Sequence, residues 1–552
     1  MTQTNNLNRN HQDHKNKLYH TIIIGSGISG LLVLKELKER GIQNVLILDK
    51  NPHPFGIWNV KNQLSVTKNT YSISPKLYMT ITDFPMKKTV PSYPHHSDIL
   101  NYYHDYAIHF KLLNHIRNNQ AVSEASKQNG KWNVQTSDGN EFWAYNLVVA
   151  NGSVNSDCLN GSQFDQLGEF SGQLYKSKNL TSNQQNKLQN KLMELSGKKI
   201  LIIEMDNIGM KLAKTLKNNN TVFVSSQSIQ TENRAKQASE LFYSRYFDFI
   251  IKHITGKKIL YKFFSKTFMK FMWGSNGNNG INAWKPNHDN LSGYHVKNKT
   301  LIKSLSKNAF KLKPSVKKIN GSQILFKDNS LEKIDCILDC SEDDNEKTNK
   351  CFSFLKMTTN STTRDLSKNL YKHIFSPYDQ TLYFCGFIRP YLTSVPMLAE
   401  LQARWIGQEI HSGNKGLPSK ITMLKEIQKD RKKDQKEFGD HNQVLVNPYN
   451  YSGMVASKIK AVPSWIKLFF TNFQIFFVSL FFSWNHHFYR LNDTSKQKQK
   501  LAMDNIMENS KNCSSIGIMC FSQFMYVITL ILIVLVVILV LSLNKYYFKW
   551  WK

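Results

Sequence analysis

Between Tyr19 and Lys50 the chain reads YHTIIIGSGISGLLVLKELKERGIQNVLILDK, and its apolar period changes twice. A run of isoleucines ends in glycines, apolar positions then recur at helical spacing from Ile28 to Leu37, and a second aliphatic run follows at Val45–Leu48. That order predicts strand, tight turn, amphipathic helix and strand, a βαβ unit. Lys198–Ser226 repeats the pattern and predicts a second unit. Short strands are expected around Ala309–Phe326 and Ile334–Leu338, a helix from near Pro396, and a charged surface helix or linker over 424–440. The fold class is therefore α/β, with two dinucleotide-binding, Rossmann-like domains. The pattern divides into a disordered polar tail (1–17), a first nucleotide domain (18–195) that resumes at 346–440, and a smaller inserted one (196–345).

The far end changes the picture. No charged residue occurs from Ser514 to Leu543, and Phe524–Leu543 is a predominantly apolar run of 20 residues, about 30 Å of helix, the thickness of a bilayer core. A single C-terminal transmembrane anchor is predicted within 514–545, with Lys545, Lys549 and the aromatics Tyr546, Tyr547, Trp550 and Trp551 at the interface beyond it. A membrane-associated region at 441–513 precedes it. Its apolar segment 465–484 contains Lys467, Asn472 and Gln474 and is expected to lie in the headgroup plane rather than to span. No cleaved secretory signal precedes Tyr19.

Composition narrows the function classes. With 552 residues and 41% hydrophobic content the chain can bury two or three full cores. The formal charge of +32 comes from lysines scattered along the whole length, without an arginine-rich block. That argues against nucleic acid as a partner and for attraction to an anionic membrane surface. Seven cysteines are too few for a disulfide framework, and Cys336 with Cys340 lacks the second pair of a zinc site, so reduced core thiols are expected. No metal site is expected. The acidic group Asp339, Glu342, Asp343 and Asp344 reads as a solvated loop, and His95, His96 and Asp98 read as solvated side chains. No H-E-x-x-H, G-x-S-x-G or P-loop pattern occurs.

Candidate chemistry sits in the first turn. Gly25, Gly27 and Gly30 fill G-x-G-x-x-G directly after a strand and at the start of a helix. The first glycine allows the turn, the second lets backbone approach a pyrophosphate, and the third lets helix and strand pack closely. Asp49, at the end of the second strand, is placed to accept from an adenosine ribose hydroxyl.

Further blocks carry a resemblance. FGIWNV at 55–60, with Gly56 and Trp58, is followed by SISPKLYMTITDFP at 72–85, LYKHIF at 370–375, GFIRP at 386–390 and LQARW at 401–405. In this combination and order the chain resembles the flavin-containing monooxygenases over about residues 18–440. The resemblance implies FAD on the first turn, held through Gly25, Gly27, Gly30, Asp49, Gly56 and Trp58, and NADPH on the second. The implied reaction is transfer of one oxygen atom from O2 to a soft nitrogen or sulfur nucleophile of a small substrate. It also implies a cytosolic body anchored at the endoplasmic reticulum.

Several positions depart from that pattern. The second turn, LIIEMDNIGM, has Glu204, Asp206 and Ile208 where the family has small residues, and only Gly209 survives for NADPH. At about 5 Å and an effective dielectric of about 20, each carboxylate–phosphate pair opposes binding by roughly 3 kcal/mol before screening. Gln227 stands in the place of the family's arginine, Lys176 in that of a histidine, and Cys340-Ser341-Glu342 in that of Ala-Thr-Gly. Ile73 occupies the usual asparagine position, so no catalytic side chain is assigned, and Phe55 replaces the first glycine of Gly-Gly-x-Trp. Two readings stay open: a monooxygenase with an altered reductant site, and an FAD-binding descendant that has lost NADPH-driven turnover and serves as a membrane-tethered binding protein.

Overall fold

The computed structural model describes residues 17–62, 66, 70–72, 74–152, 169–176, 195–203, 216, 219–225, 230–231, 295–296, 310–339, 352–356, 369–390, 393–438, 445–481 and 485–512. Two compact units divide the chain, one formed by residues 1–234 with 276–459 and the other by 235–275 with 460–552.

The first unit is built on two sheets. In the larger, β1 (Leu18–Ile24) lies parallel between β2 (Val45–Leu48) and β6 (Glu141–Val149), with Ile24 opposite both Leu48 and Val149. β3 (Ile116–Arg117) flanks β2, while β4 (Val122–Gln128) and β5 (Lys131–Thr136) extend the other side as an antiparallel meander onto β6. The returning strand Leu382–Phe384 also pairs parallel with β6. Aliphatic residues of β1, β2 and β6 are buried together with Trp132, Phe352 and Phe384, as expected of parallel strands covered on both faces. Helix α1 (Ile28–Glu39) makes the β1–β2 crossover.

α1 is less amphipathic than its spacing predicts. Lys35 is 1% exposed, with its ammonium on Glu36 at 3.2 Å, on Glu39 at 2.8 Å and on Asp83. The three carboxylates lie within 4.8 Å of one another and converge on that ammonium, which supplies the positive charge such a group would otherwise take from a metal. Asp83 of the Asp83-Phe84-Pro85 block thus ties its loop to the back of α1. The same loop meets the helix Val395–Ser412 through Thr82, whose hydroxyl donates to Glu400 and whose amide does so at 3.1 Å.

Helix α2 (His96–His109) corrects the reading of its histidines as solvated. His95 is the N-cap, its Nδ1 accepting from the Ser97 amide; Asp98 returns a bond to the His95 amide, and His96 is 8% exposed. The capping box satisfies amide groups that a helix end leaves open. Helices α3 (Val395–Ser412), α4 (Lys420–Phe438) and α5 (Pro448–Lys458) complete the unit.

In the second sheet β7 (Gln173–Lys176), β8 (Lys199–Ile203), β9 (Thr221–Ser225), β10 (Lys311–Lys313) and β11 (Cys336–Asp339) are all parallel, in the order β10-β9-β8-β11-β7. β7 joins this sheet although it precedes residue 196. A three-stranded antiparallel ribbon, Val316–Asn320, Gln323–Phe326 and Leu331–Lys333, packs Ile319, Ile324 and Phe326 on Leu201, Phe223 and Ile337. Cys336 and Cys385 are free, buried thiols, and burial pushes Cys336 up to about 12. Asp339 ends β11 buried rather than in a solvated loop.

The second unit contains α6 (Trp465–Thr471), α7 (Phe473–Phe481), a 3-10 turn at His486–Arg490 and α8 (Lys496–Asn512). The apolar segment is two helices because Asn472 (φ −154°, ψ 77°) ends α6, its amide donating to the Leu468 carbonyl, and its Oδ1 accepts from the Ile475 amide to start α7. Among the described residues no helix is long and apolar enough to cross a membrane. The predicted anchor Phe524–Leu543 lies outside the described residues.

Candidate functional site

The site gathers at the paired carboxyl ends of the parallel strands β1 and β6. Open α/β sheets bind ligands outside the carboxyl ends of their strands. Gly25 takes φ +106°, and a Cβ built on it would meet the Ala150 carbonyl oxygen at 2.5 Å, so only glycine fits between the two strand ends. A Cβ on Gly30 would lie 2.0 Å from the Gly25 carbonyl oxygen, which is the close helix–strand approach that the pattern predicts.

Gly27 differs from both. It is the N-cap of α1 in an ordinary extended conformation, and a Cβ there would meet nothing within 4 Å. Its missing side chain therefore leaves room outside the fold. No side chain caps α1 and no acidic residue stands in its first turn. The positive end of the helix thus opens onto that room, an arrangement suited to a pyrophosphate.

Asp49 is placed at this turn but engaged more fully than the sequence suggests. It is 5% exposed; Oδ2 accepts from the Ser26 amide at 2.7 Å and the Ser26 hydroxyl at 2.6 Å, and Oδ1 from the Asn51 amide at 2.8 Å and side chain at 3.0 Å. The carboxylate fixes the turn.

The Gly56 loop closes over the glycines. Phe55 donates its amide to the Ser26 carbonyl at 3.1 Å, and a Cβ on Gly56 would lie 3.3 Å from the Gly27 Cα. Trp58 is partly buried in the one-turn 3-10 helix that follows. Asn62 holds the loop from behind, donating to the carbonyls of His53 at 2.9 Å and Gly56 at 3.1 Å. Phe55 itself sits at φ 79°, a left-handed conformation that suits the glycine it replaces; its ring is buried edge-on to His104.

Two further residues enter from the far end of the chain. Leu382–Phe384 delivers Gly386 onto the first turn of α1, where a Cβ would lie 2.3 Å from the Ser29 hydroxyl. Gln402 of α3 accepts the Gly386 amide at 2.8 Å and donates to Tyr451 at 2.7 Å, whose hydroxyl donates to the Lys372 carbonyl at 2.8 Å. Only the blocks at 386–390 and 401–405 signalled these positions in the sequence.

The structure thus brings Gly25, Gly27, Gly30, Asp49 and Gly56 together, with Trp58 two residues on from Gly56 in the same short turn, and the residues present fit a dinucleotide. Ile73, Glu204, Asp206, Ile208, Gly209 and Gln227 lie outside the described residues. β8, the strand leading into residues 204–209, ends at Ile203 in the middle of the parallel second sheet. In the Phe170–Gly172 segment Gly172 serves packing: a Cβ there would meet the Asp335 carbonyl oxygen at 2.6 Å.

Known proteins share this architecture. The chain is 27% identical over 502 residues to the mouse (Mus musculus) dimethylaniline monooxygenase [N-oxide-forming] 2, covering 85% of this chain and 88% of the relative. It is 25% identical over 545 residues to flavin-containing monooxygenase 5 of Oryctolagus cuniculus, with 92% and 97% covered. Among solved structures, S-allyl-L-cysteine S-oxygenase from Allium sativum shares the fold at TM-score 0.54 and 18% identity, covering 90% of this chain and 99% of its own. Cyclohexanone monooxygenase from Rhodococcus sp. Phi1, solved with NADP+, does so at TM-score 0.56 and 13% identity, covering 80% and 98%. Residues 19–544 match one family throughout, so the chain belongs to the flavin-binding monooxygenase-like family, whose cofactors are FAD and NADPH.

Proposed function

We propose that this chain is a membrane-anchored, FAD-dependent monooxygenase that uses NADPH and O2 to oxygenate soft nitrogen or sulfur nucleophiles. The observation that carries the FAD assignment is the room beside Gly27 at the uncapped positive end of α1. Backbone amides of the Gly25–Gly30 turn take the pyrophosphate, Asp49 takes the adenosine ribose, and the Gly56 loop and Gly386 hold the turn from either side. Bound flavin supplies the redox and oxygen-activating chemistry; the protein positions it and keeps water out. The substrate class is supported by the names of relatives that form N-oxides or oxygenate sulfur, and NADPH by the NADP+-bound neighbour. The anchor is Phe524–Leu543, with a cytosolic body at the endoplasmic reticulum.

A second reading is favoured by Glu204 and Asp206, which follow the central strand β8 at the position of the reductant's pyrophosphate. In that reading the chain binds FAD, does not turn over with NADPH, and works as a tethered binding protein. Anaerobic mixing of the purified yellow protein with NADPH separates the two. Bleaching of the flavin absorbance at micromolar NADPH is expected for the monooxygenase; persistent absorbance at millimolar NADPH selects the tethered protein. Protein purified without flavin overturns both.

A further inference from the structure

We propose that Tyr451 and Gln402 are positioning residues for FAD: together they fix the orientation of the Gly386 peptide, which backs the phosphate-facing turn of α1, so that α5 governs how tightly the flavin is held. This rests on the FAD part of the proposed function and deepens it by naming residues that act on the cofactor through another residue.

Burial leaves this path no water to fall back on: Gln402 is 0% exposed, Tyr451 7%, and Gly386 is buried. Each hydrogen bond then dictates the next. The Lys372 carbonyl can only accept, so the Tyr451 hydroxyl points its single proton there, at 2.8 Å. The hydroxyl meets Gln402 as an acceptor, which turns the amide so that Nε2 donates to it at 2.7 Å and Oε1 accepts from the Gly386 N–H at 2.8 Å. With the amide reversed, two N–H groups would face each other at Gly386 and neither would be paired. Burial also pushes the Tyr451 hydroxyl up from its ordinary 10, so the proton on which this order depends stays in place.

Both ends of the path are braced. Lys372 and His373 hold successive left-handed conformations, φ 53° and 59°, a costly arrangement for residues with a Cβ that persists where surrounding contacts impose it. The Lys372 ammonium lies on Glu426 at 3.0 Å and Asp430 at 2.6 Å, both of α4, which helps to fix the direction of its carbonyl. At the other end Gly386, at φ +87°, lies so close to Ser29 in the first turn of α1 that a Cβ would be 2.3 Å from the hydroxyl, and the Cys385 thiol meets the same hydroxyl. A shift of the Gly386 peptide is therefore felt in the turn that faces the pyrophosphate. Just before α5 begins, Leu445–Val446 pair in parallel with Arg389–Pro390, which ties α5 to the segment that carries Gly386.

The test reads flavin affinity on the full chain. Holoprotein is diluted stepwise to equilibrium, and released FAD is read by its fluorescence. Tyr451→Phe keeps the ring and removes only the hydroxyl; it should raise the FAD dissociation constant by about tenfold, since the Gln402 amide becomes free to reverse and to leave the Gly386 amide without an acceptor. Gln402→Met should do at least as much, and the two together should be no worse than Gln402→Met alone, because members of one path are coupled. Asn447→Ala is the control. It removes the N-cap of α5, whose Oδ1 accepts from the Tyr449 and Asn450 amides at 3.1 and 3.2 Å, and should lower the melting temperature while leaving the dissociation constant unchanged. An unchanged constant in Tyr451→Phe, effects that multiply in the double variant, or an Asn447→Ala chain that releases FAD as readily as Tyr451→Phe would each overturn the positioning role and leave the FAD reading standing. An unsubstituted chain that holds no FAD overturns both.

Discussion

Three glycines of one motif do three different jobs, and substitution separates them. Gly30→Ala places a methyl 2.0 Å from a backbone oxygen; it should destabilise the chain by at least about 3 kcal/mol, the upper range for overpacking. Gly27→Ala meets no protein atom within 4 Å, so stability should change by less than about 0.5 kcal/mol. FAD occupancy should nevertheless fall by at least about tenfold, because the methyl stands where the pyrophosphate approaches. Denaturation midpoints beside flavin content per chain read the split; equal effects of the two substitutions would refute it. Phe55 tests the opposite case. Its left-handed backbone opposes folding by about 1–2 kcal/mol, whereas the buried ring contributes about 3–5 kcal/mol. Phe55→Gly should therefore be net destabilising by about 2 kcal/mol, measured in the same titration.

At the scale of elements, the first βαβ unit and the two strands of the second were legible in the sequence because strand, turn and helix periods are local. α1 and β2 lie within the predicted segment, β1 starts one residue before it, and Gly25, Gly27, Gly30 and Asp49 converge as the motif requires. What periodicity could not show is contact between distant segments. Lys35 would face solvent on an isolated helix, yet Asp83 arrives from 48 residues away to bury it. Gly386 reaches Ser29 through a strand that returns only after the second sheet is complete. The break at Asn472 leaves no mark in the apolar pattern because a single asparagine inside such a run alters its hydropathy little, while its side chain can cap a new helix.

The second nucleotide element yields a gain-of-function prediction. β8 supplies a parallel central strand whose carboxyl end leads into residues 204–209. If its turn is blocked only by side chains, Glu204→Gly with Asp206→Gly should tighten NADPH binding by at least about a hundredfold, removing two repulsions of roughly 3 kcal/mol each before screening. Adding Gln227→Arg should favour NADPH over NADH, since a guanidinium pairs with the 2′-phosphate that NADH lacks. Equilibrium titration of the oxidised protein with NADP+ measures the first step, and the same titration with NAD+ beside it measures the second. No gain from the double substitution would mean that the altered turn has a different geometry, not merely the wrong side chains.

For the first unit as a whole, acid stability hinges on the block at 370–375, which joins α4, α5 and the large sheet. Lys372 bridges to Glu426 at 3.0 Å and Asp430 at 2.6 Å, and His373 packs beside Tyr451. Burial lowers His373 from 6.5 to about 4, with Asp430 opposing that shift and Lys372 adding to it. Between those two values the unfolded chain takes up a proton that the folded chain refuses. The contribution of His373 is therefore complete above about pH 6.5 and is lost as pH falls toward 4. Glu426 is pushed up by its own burial but pulled further down by Lys372, Tyr371 and Lys458 together, so its contribution is lost only at lower pH, beneath the ordinary 4.5. His373 also holds φ 59°, which asparagine tolerates better than most residues. His373→Asn should then flatten the decline in melting temperature between pH 6.5 and 4.5 while leaving the steeper loss at stronger acid. The measurement is a melting series on the holoprotein across that range; an unchanged slope in the variant would place the proton uptake elsewhere.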